Sequence, residues 1–212
     1  MIKHCLKIIT IAACSLSYNA FGSDKTDAAE ALQTVLRGIN TYMADFNQTV
    51  VDAQGNEVHQ AEGKISMAQP NLLRWHTTAP DEILLVADGD AVWQIDYFVE
   101  QVSVVDQQTA MQNNPMMLLT SNNADDWHAF DISRVDNGFS ITAKERSQIM
   151  SLTLVLNDQN RITSLKSLDA QGQTSMLAFT NVRQNVPLGD ANTFILTVPE
   201  GFYLDDQRQP GV

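Results

Sequence analysis

Residues 72–106 read LLRWHTTAPDEILLVADGDAVWQIDYFVEQVSVVD, and this stretch predicts a β-rich fold. Short runs rich in branched and aromatic residues alternate with polar turn sequences such as Asp88-Gly89-Asp90. Successive side chains of an extended strand point to opposite faces, so Leu73 and Trp75 share one face of their run. Short runs of this kind, divided by turn residues, predict neighbouring antiparallel strands.

The same pattern continues outward in both directions from this stretch. It begins near Phe46, where residues alternate before the turn at 52–56, and it predicts an antiparallel sheet of about ten or eleven strands. A strongly twisted sheet of that size tends to curl into a barrel or part-barrel. After the first strand, the predicted strands are Glu57–Met67, Leu72–Thr77, Ile83–Ala87, Ala91–Asp96, Glu100–Asp106, Trp127–Val135, Phe139–Glu145, Ile149–Leu156, Ile162–Leu168 and Thr174–Arg183.

Helices are predicted in two places. Before the first strand, Leu32 and Leu36 belong to an apolar set at three- and four-residue spacing, which indicates one face of a helix. In the middle of the chain, Thr109–Asn123 is rich in methionine and leucine, and Asn114 followed by Pro115 is typical of a helix start. We expect these helices to lie against one side of the sheet.

The first 22 residues have the order of a secretory signal. Basic Lys3 and Lys7 precede an apolar run, and Ala20-Phe21-Gly22 offers small residues at the cleavage positions. This predicts removal of residues 1–22 and a single domain over 23–212. In the alternative interpretation, the segment before Cys14 is a lipobox, and Cys14 becomes a lipid-modified N-terminus.

Composition excludes several classes of function. The net charge of −12 becomes −14 once the signal and its two lysines are removed, which is the wrong sign for a nucleic-acid binder. An acidic surface favours solubility, or attraction to a basic protein partner. Both cysteines, Cys5 and Cys14, lie in the signal, so the mature chain has no thiol for catalysis or metal binding.

No catalytic or metal-binding motif emerges from the sequence. Phosphate-binding glycine loops, nucleophile elbows and zinc-protease motifs are absent. The mature histidines His59, His76 and His128 lack ligand spacing. We therefore expect no enzyme, no cofactor and no metal.

Several separated motifs resemble the outer-membrane lipoprotein carrier family, LolA. The resemblance extends from about residue 24 to 208 with little change in spacing. It rests on Phe46–Gln48, Gln69–His76, Pro80–Glu82, Asp88–Trp93, Phe98–Val102, Asn114–Leu119 and Phe202–Arg208.

The resemblance implies both a fold and a task. The fold is an incomplete, strongly curved antiparallel β-barrel of about 11 strands covered by a helical lid. The task is that of a periplasmic chaperone, expected to be a monomer, whose hydrophobic cavity shields the acyl chains of lipoproteins. Its implied partners are acylated lipoproteins, the inner-membrane ABC transporter that releases them and the outer-membrane receptor that accepts them.

The family pattern also implies a set of site residues. Apolar side chains on the first helix, the strands and the lid would contact the acyl chain: Leu36, Val50, Leu73, Trp75, Leu85, Met116 and Leu119. Many family members carry an arginine before the proline at position 70, and that arginine bonds to the lid. Here the position is Gln69, a neutral donor, which predicts a more weakly held lid.

Three other functions are alternatives that the sequence leaves open. The first is the membrane-anchored receptor of the same pathway, which the lipobox interpretation of Cys14 favours. The second is a periplasmic sensor domain that binds lipid or peptide. The third and weakest is an enzyme acting on lipids.

Overall fold

The structure is a computed structural model that describes residues 23–113, 115–121, 123–190 and 192–208. The predicted signal and Cys14 lie outside the described residues, and so does Asn114, the predicted helix cap.

Twelve strands, two α-helices and two 3₁₀ helices make up most of the described chain. The first 3₁₀ helix is Pro115–Leu119 and the second is Ala124–Ala129. The α-helices are α1 (Ser23–Arg37) and α2 (Gln107–Asn113). The strands are β1 (Thr41–Val51), β2 (Glu57–Ala68), β3 (Leu72–Ala79), β4 (Ile83–Asp88), β5 (Ala91–Asp96), β6 (Gln101–Asp106), β7 (Phe130–Val135), β8 (Gly138–Ala143), β9 (Ile149–Leu156), β10 (Ile162–Asp169), β11 (Thr174–Gln184) and β12 (Tyr203–Asp206).

All twelve strands belong to one sheet, in the order β12-β6-β5-β4-β3-β2-β1-β11-β10-β9-β8-β7. Neighbours pair antiparallel except β12, which pairs parallel to β6. The two end strands are not paired with each other, so the curved sheet stays open. The predicted class, an incomplete antiparallel barrel, is confirmed.

The main hydrophobic core lies on the concave face of the sheet, under the helices. Leu32 and Leu36 of α1 are buried there against Phe46 of β1 and Leu154 of β9, together with Leu118 of the first 3₁₀ helix. Full burial of one such side chain stabilises the fold by about 1.5–3 kcal/mol. The concave face is therefore filled by side chains from both the sheet and the helices.

A second, smaller core lies on the convex face, over β4–β6. Buried Leu84, Val86, Ile95 and Val102 pack there against residues of the C-terminal segment 192–202, including Phe194 and Phe202. These strands are consequently covered on both faces, which explains the unbroken apolar run at residues 83–87. The sequence pattern predicted neither this C-terminal cover nor β12.

One predicted strand begins too early, because Trp127–Val135 starts in the structure at Phe130. The preceding residues form the second 3₁₀ helix, whose N-cap Asn123 accepts a bond from the backbone N–H of Asp125 at 3.1 Å. Such a side-chain cap satisfies a donor that the helix start leaves unpaired. The predicted helix over Thr109–Asn123 likewise divides into α2 and the first 3₁₀ helix.

Tyr42 gives a testable pH dependence of stability. It is buried in the main core, where its hydroxyl donates to the carbonyl of Ile162 at 3.0 Å, and burial raises its pKa above the usual 10.0. Because the folded protein holds this proton more tightly, its contribution to stability is complete below pH 10.0 and declines as the pH rises further. We expect the stability advantage of wild type over Tyr42→Phe to shrink above that pH in urea unfolding. A constant difference would contradict this.

Candidate functional site

The structure brings six of the seven predicted acyl-chain residues into the main core. Leu36, Leu73 and Leu119 are buried there, while Trp75, Leu85 and Met116 are half-buried and pack against the buried set. Val50 is also half-buried, near the end of β1, but the cluster among the described residues does not include it. The half-buried side chains are those within reach of a ligand on the concave face.

The strand register explains why Trp75 and Leu85 meet. They are direct partners across the β3–β4 pair, and the Trp75 ring packs on Phe46 with centroids 4.7 Å apart. Gly63 lies opposite Phe46 in β2, and a Cβ there would stand 2.7 Å from the Phe46 Cζ and 2.0 Å from the His76 carbonyl oxygen. The absence of a side chain at Gly63 thus leaves room for the aromatic pair.

Polar side chains border this apolar surface on both sides. Beyond Leu85, its partner on β5 is the exposed Gln94, and the next partner, on β6, is Ser103, which accepts a bond from Gln101 Nε2 at 3.1 Å. Across the sheet, Gln48 Nε2 donates to Ser175 Oγ at 2.6 Å. An apolar floor with a polar margin suits a ligand that has a hydrocarbon chain and a polar head.

The segment between β6 and the second 3₁₀ helix covers the apolar floor. We call residues 107–120 the lid; Asn114 within it is not described. Met117, Leu118 and Leu119 of the lid are buried in the main core. In this structure these three side chains themselves occupy part of the concave face.

Gln69 bonds to α1 rather than to the lid. Its Nε2 donates to the carbonyl of Leu36 at 2.7 Å, so it fastens the end of α1 to the β2–β3 turn. The lid is held by Asn71 two residues later, whose N–H donates to the carbonyl of Thr120 at 2.9 Å. Arg74 lies on the convex side, where Nη1 reaches the Thr193 carbonyl at 3.4 Å, and so does not replace the family arginine.

Asp88 and Asp206 are two carboxylates with lowered pKa values on the convex side. Burial by itself would raise the pKa of Asp88, but bonds from the Ala91 and Asp90 amides and from Trp93 Nε1 lower it overall. Side-chain bonds from Arg208 lower the pKa of Asp206 to about 2. The Arg208 guanidinium also lies 5.3 Å from the centroid of the Trp93 ring. This network attaches the end of β12 to β5.

Within the described ranges, no three His, Cys, Asp or Glu side chains come together as metal ligands. Among the same residues, no helix has the length and apolar character needed to cross a bilayer.

The model of the family described as outer membrane lipoprotein carrier protein LolA matches residues 37–197. The chain belongs to this family. It is 38% identical to the outer-membrane lipoprotein carrier protein of Serratia proteamaculans and 35% identical to that of Yersinia enterocolitica. Each match covers 96% of this chain and 100% of the relative.

Solved structures resemble the chain more distantly. A LolA superfamily protein from Nitrosomonas europaea superposes with a TM-score of 0.43 at 11% identity, over 77% of this chain and 95% of that one. A likeness of this size adds nothing to the assignment, which rests on the sequence match to the LolA family.

Sequence reasoning missed two residues that organise the site. Gln107, at the start of the lid, is only 3% exposed and makes hydrogen bonds to two turns. Asn71 has a φ of 62° and contacts both ends of the lid through its backbone. The alternation of apolar and polar residues does not reveal that a glutamine is buried. These contacts are therefore seen only in the three-dimensional structure.

Proposed function

We propose that the protein is a periplasmic chaperone that shields the acyl chains of lipoproteins on their way to the outer membrane. The observation that carries this proposal is the apolar floor at Trp75 and Leu85, which lies beneath a lid and is bordered by polar side chains. Membership of the LolA family supports the same role. On this proposal, residues 23–212 act as one monomeric carrier domain with no catalytic step.

The energetics of an acyl chain explain why such a carrier needs a lid. Burial of one CH₂ group is worth about 0.8 kcal/mol, so a long acyl chain in water costs roughly ten kcal/mol or more. In the closed structure Leu118 and its neighbours already occupy the concave face. A ligand must displace them, so part of its binding energy is offset by lid opening. Binding is weakened accordingly, and release to an acceptor becomes possible.

The partners follow from the same proposal. An inner-membrane ABC transporter would deliver the lipoprotein, and an outer-membrane receptor would accept it. The chain carries 25 acidic and 13 basic residues, so we expect docking surfaces on these partners to be basic. The candidate ligand contacts remain Leu36, Val50, Leu73, Trp75, Leu85, Met116 and Leu119, with Gln69 holding α1 beside them.

Purification of the protein from the periplasm without detergent tests the proposal. We expect intact-mass spectrometry to reveal a fraction carrying one acylated lipoprotein, because the cargo has nowhere else to place its chains. The same spectrum reports the N-terminus: free Ser23 fits a soluble carrier, whereas acylated Cys14 would indicate the anchored receptor. Bound free fatty acid without lipoprotein would contradict the carrier role and favour a lipid sensor.

A further inference from the structure

Both ends of the lid are bonded to one residue, Asn71. At the start of the lid, Gln107 Nε2 donates to the carbonyl of Asn71 at 2.7 Å. At its end, the carbonyl of Thr120 accepts a bond from the N–H of Asn71 at 2.9 Å. The lid is thus a loop whose two ends meet at the backbone of a single turn residue.

The backbone of Asn71 has an unusual conformation. Its φ of 62° lies in the left-handed region, which asparagine tolerates better than most residues. Two residues earlier, Gln69 bonds to Leu36 at the end of α1. The β2–β3 turn therefore holds α1 and both ends of the lid together.

Both the side chain and the backbone N–H of Gln107 form hydrogen bonds. Its Oε1 accepts a bond from the Gly89 amide at 3.0 Å, and its own N–H donates to the Asp90 carbonyl at 3.0 Å. Because the residue is buried, loss of its side-chain amide would leave Gly89 N–H and the Asn71 carbonyl without these partners. Gln107 consequently joins the lid to the β2–β3 and β4–β5 turns at once.

The middle of the lid is held differently. Met117, Leu118 and Leu119 are fixed by apolar packing against the main core. An acyl chain on the concave face can replace that packing with contacts of the same kind, but it offers nothing to replace the polar bonds at Asn71 and Gln107. The centre of the lid and its base should therefore respond differently to a ligand.

We propose that Gln107 is a positioning residue that pins the start of the lid, so that the lid opens as a loop held at both ends. Met116–Leu119 move off the core while Gln107 and Thr120 stay on Asn71. The identity of the ligand, an acyl chain, rests on the proposed function. The attachment of the lid through Gln107 does not. A lid held at both ends can adopt few open conformations, so it returns readily to its closed position.

Gln107→Met tests the attachment in the ligand-free protein, because methionine keeps the length of the side chain and removes its amide. Hydrogen exchange measured by NMR should become at least tenfold faster at Thr120 and Ser121, whose amides bond to the Met117 and Leu118 carbonyls. Amides of the main sheet, such as that of Leu154, should exchange as in wild type. Gln108→Met, at the exposed neighbouring position, is the matched control and should change neither.

Equal acceleration of hydrogen exchange in the lid and the sheet would mean that Gln107 only stabilises the fold. No acceleration would mean that Gln107 does not hold the lid. Either result overturns the proposal.

A second measurement uses wild type saturated with a fluorescent fatty acid. Thr120 and Ser121 should lose protection while Asn71 and Gln107 keep theirs. Loss at Asn71 as well would show that the lid detaches. If wild type carries no lipoprotein, the proposed function fails, yet the exchange result in Gln107→Met still decides the attachment.

Discussion

We expect Leu85→Glu to reduce transfer of acylated lipoprotein by more than about a hundredfold while the protein stays folded. Leu85 is half-buried beside Trp75, so a carboxylate there can reach water in the empty protein. With an acyl chain in place, that carboxylate would be enclosed by hydrocarbon, and burial of an unpaired charge costs several kcal/mol. The measurement is release of a radiolabelled lipoprotein from inner-membrane vesicles into the supernatant.

Leu168→Glu is the matched control, because Leu168 is a 40% exposed leucine on β10 that neighbours the buried Ser167 and so points to the opposite face. We expect it to transfer lipoprotein like wild type. Normal transfer by Leu85→Glu would remove Leu85 from the site. Leu73→Glu is a poorer test of the site, since Leu73 is only 5% exposed and a charge there would endanger folding itself.

Phe46→Ala should lower the free energy of unfolding by about 3–5 kcal/mol, the range for deletion of a buried aromatic ring. Phe46 is 1% exposed, packs on Trp75 and lies in the close approach that Gly63 permits. Removal of the ring leaves a cavity that the strands cannot close, because β1 is held by β2 and β11 on either side. Urea denaturation followed by circular dichroism measures the change.

Phe98→Ala removes the same ring from an exposed position and serves as the control. Phe98 is 81% exposed in the β5–β6 turn, so its loss should change stability by no more than about 0.5 kcal/mol. A loss below about 1 kcal/mol in Phe46→Ala would mean that the concave face relaxes around the missing ring. The core beneath the lid would then be more deformable than its close packing indicates.

Alternation of side chains predicted most of the sheet, because each strand with one buried face repeats its apolar residues at every second position. It failed for the C-terminal segment, whose Phe194 and Phe202 bury against the convex face without forming a strand of that pattern. It failed also for β12, which is only four residues long. Segments that are held by strands far away in the sequence need no periodic pattern of apolar residues of their own, so periodicity does not detect them.

The candidate site divides in the same way. The apolar partners Trp75 and Leu85 follow from strand faces once the register is known. The attachment of the lid does not, because Gln107 and Asn71 lie 36 residues apart and meet through a backbone carbonyl. The substitution of Gln69 for the family arginine was visible in the sequence, but not that its amide reaches Leu36 of α1.

The open sheet leaves two strand edges, and each limits lateral self-association. β12 is short and ends in Asp205 and Asp206, while β7 carries Asp131 and Arg134. An unpaired edge invites another chain to add a strand, and charged residues and short length discourage this. Both edges of the open sheet are therefore poor templates for another copy of the chain.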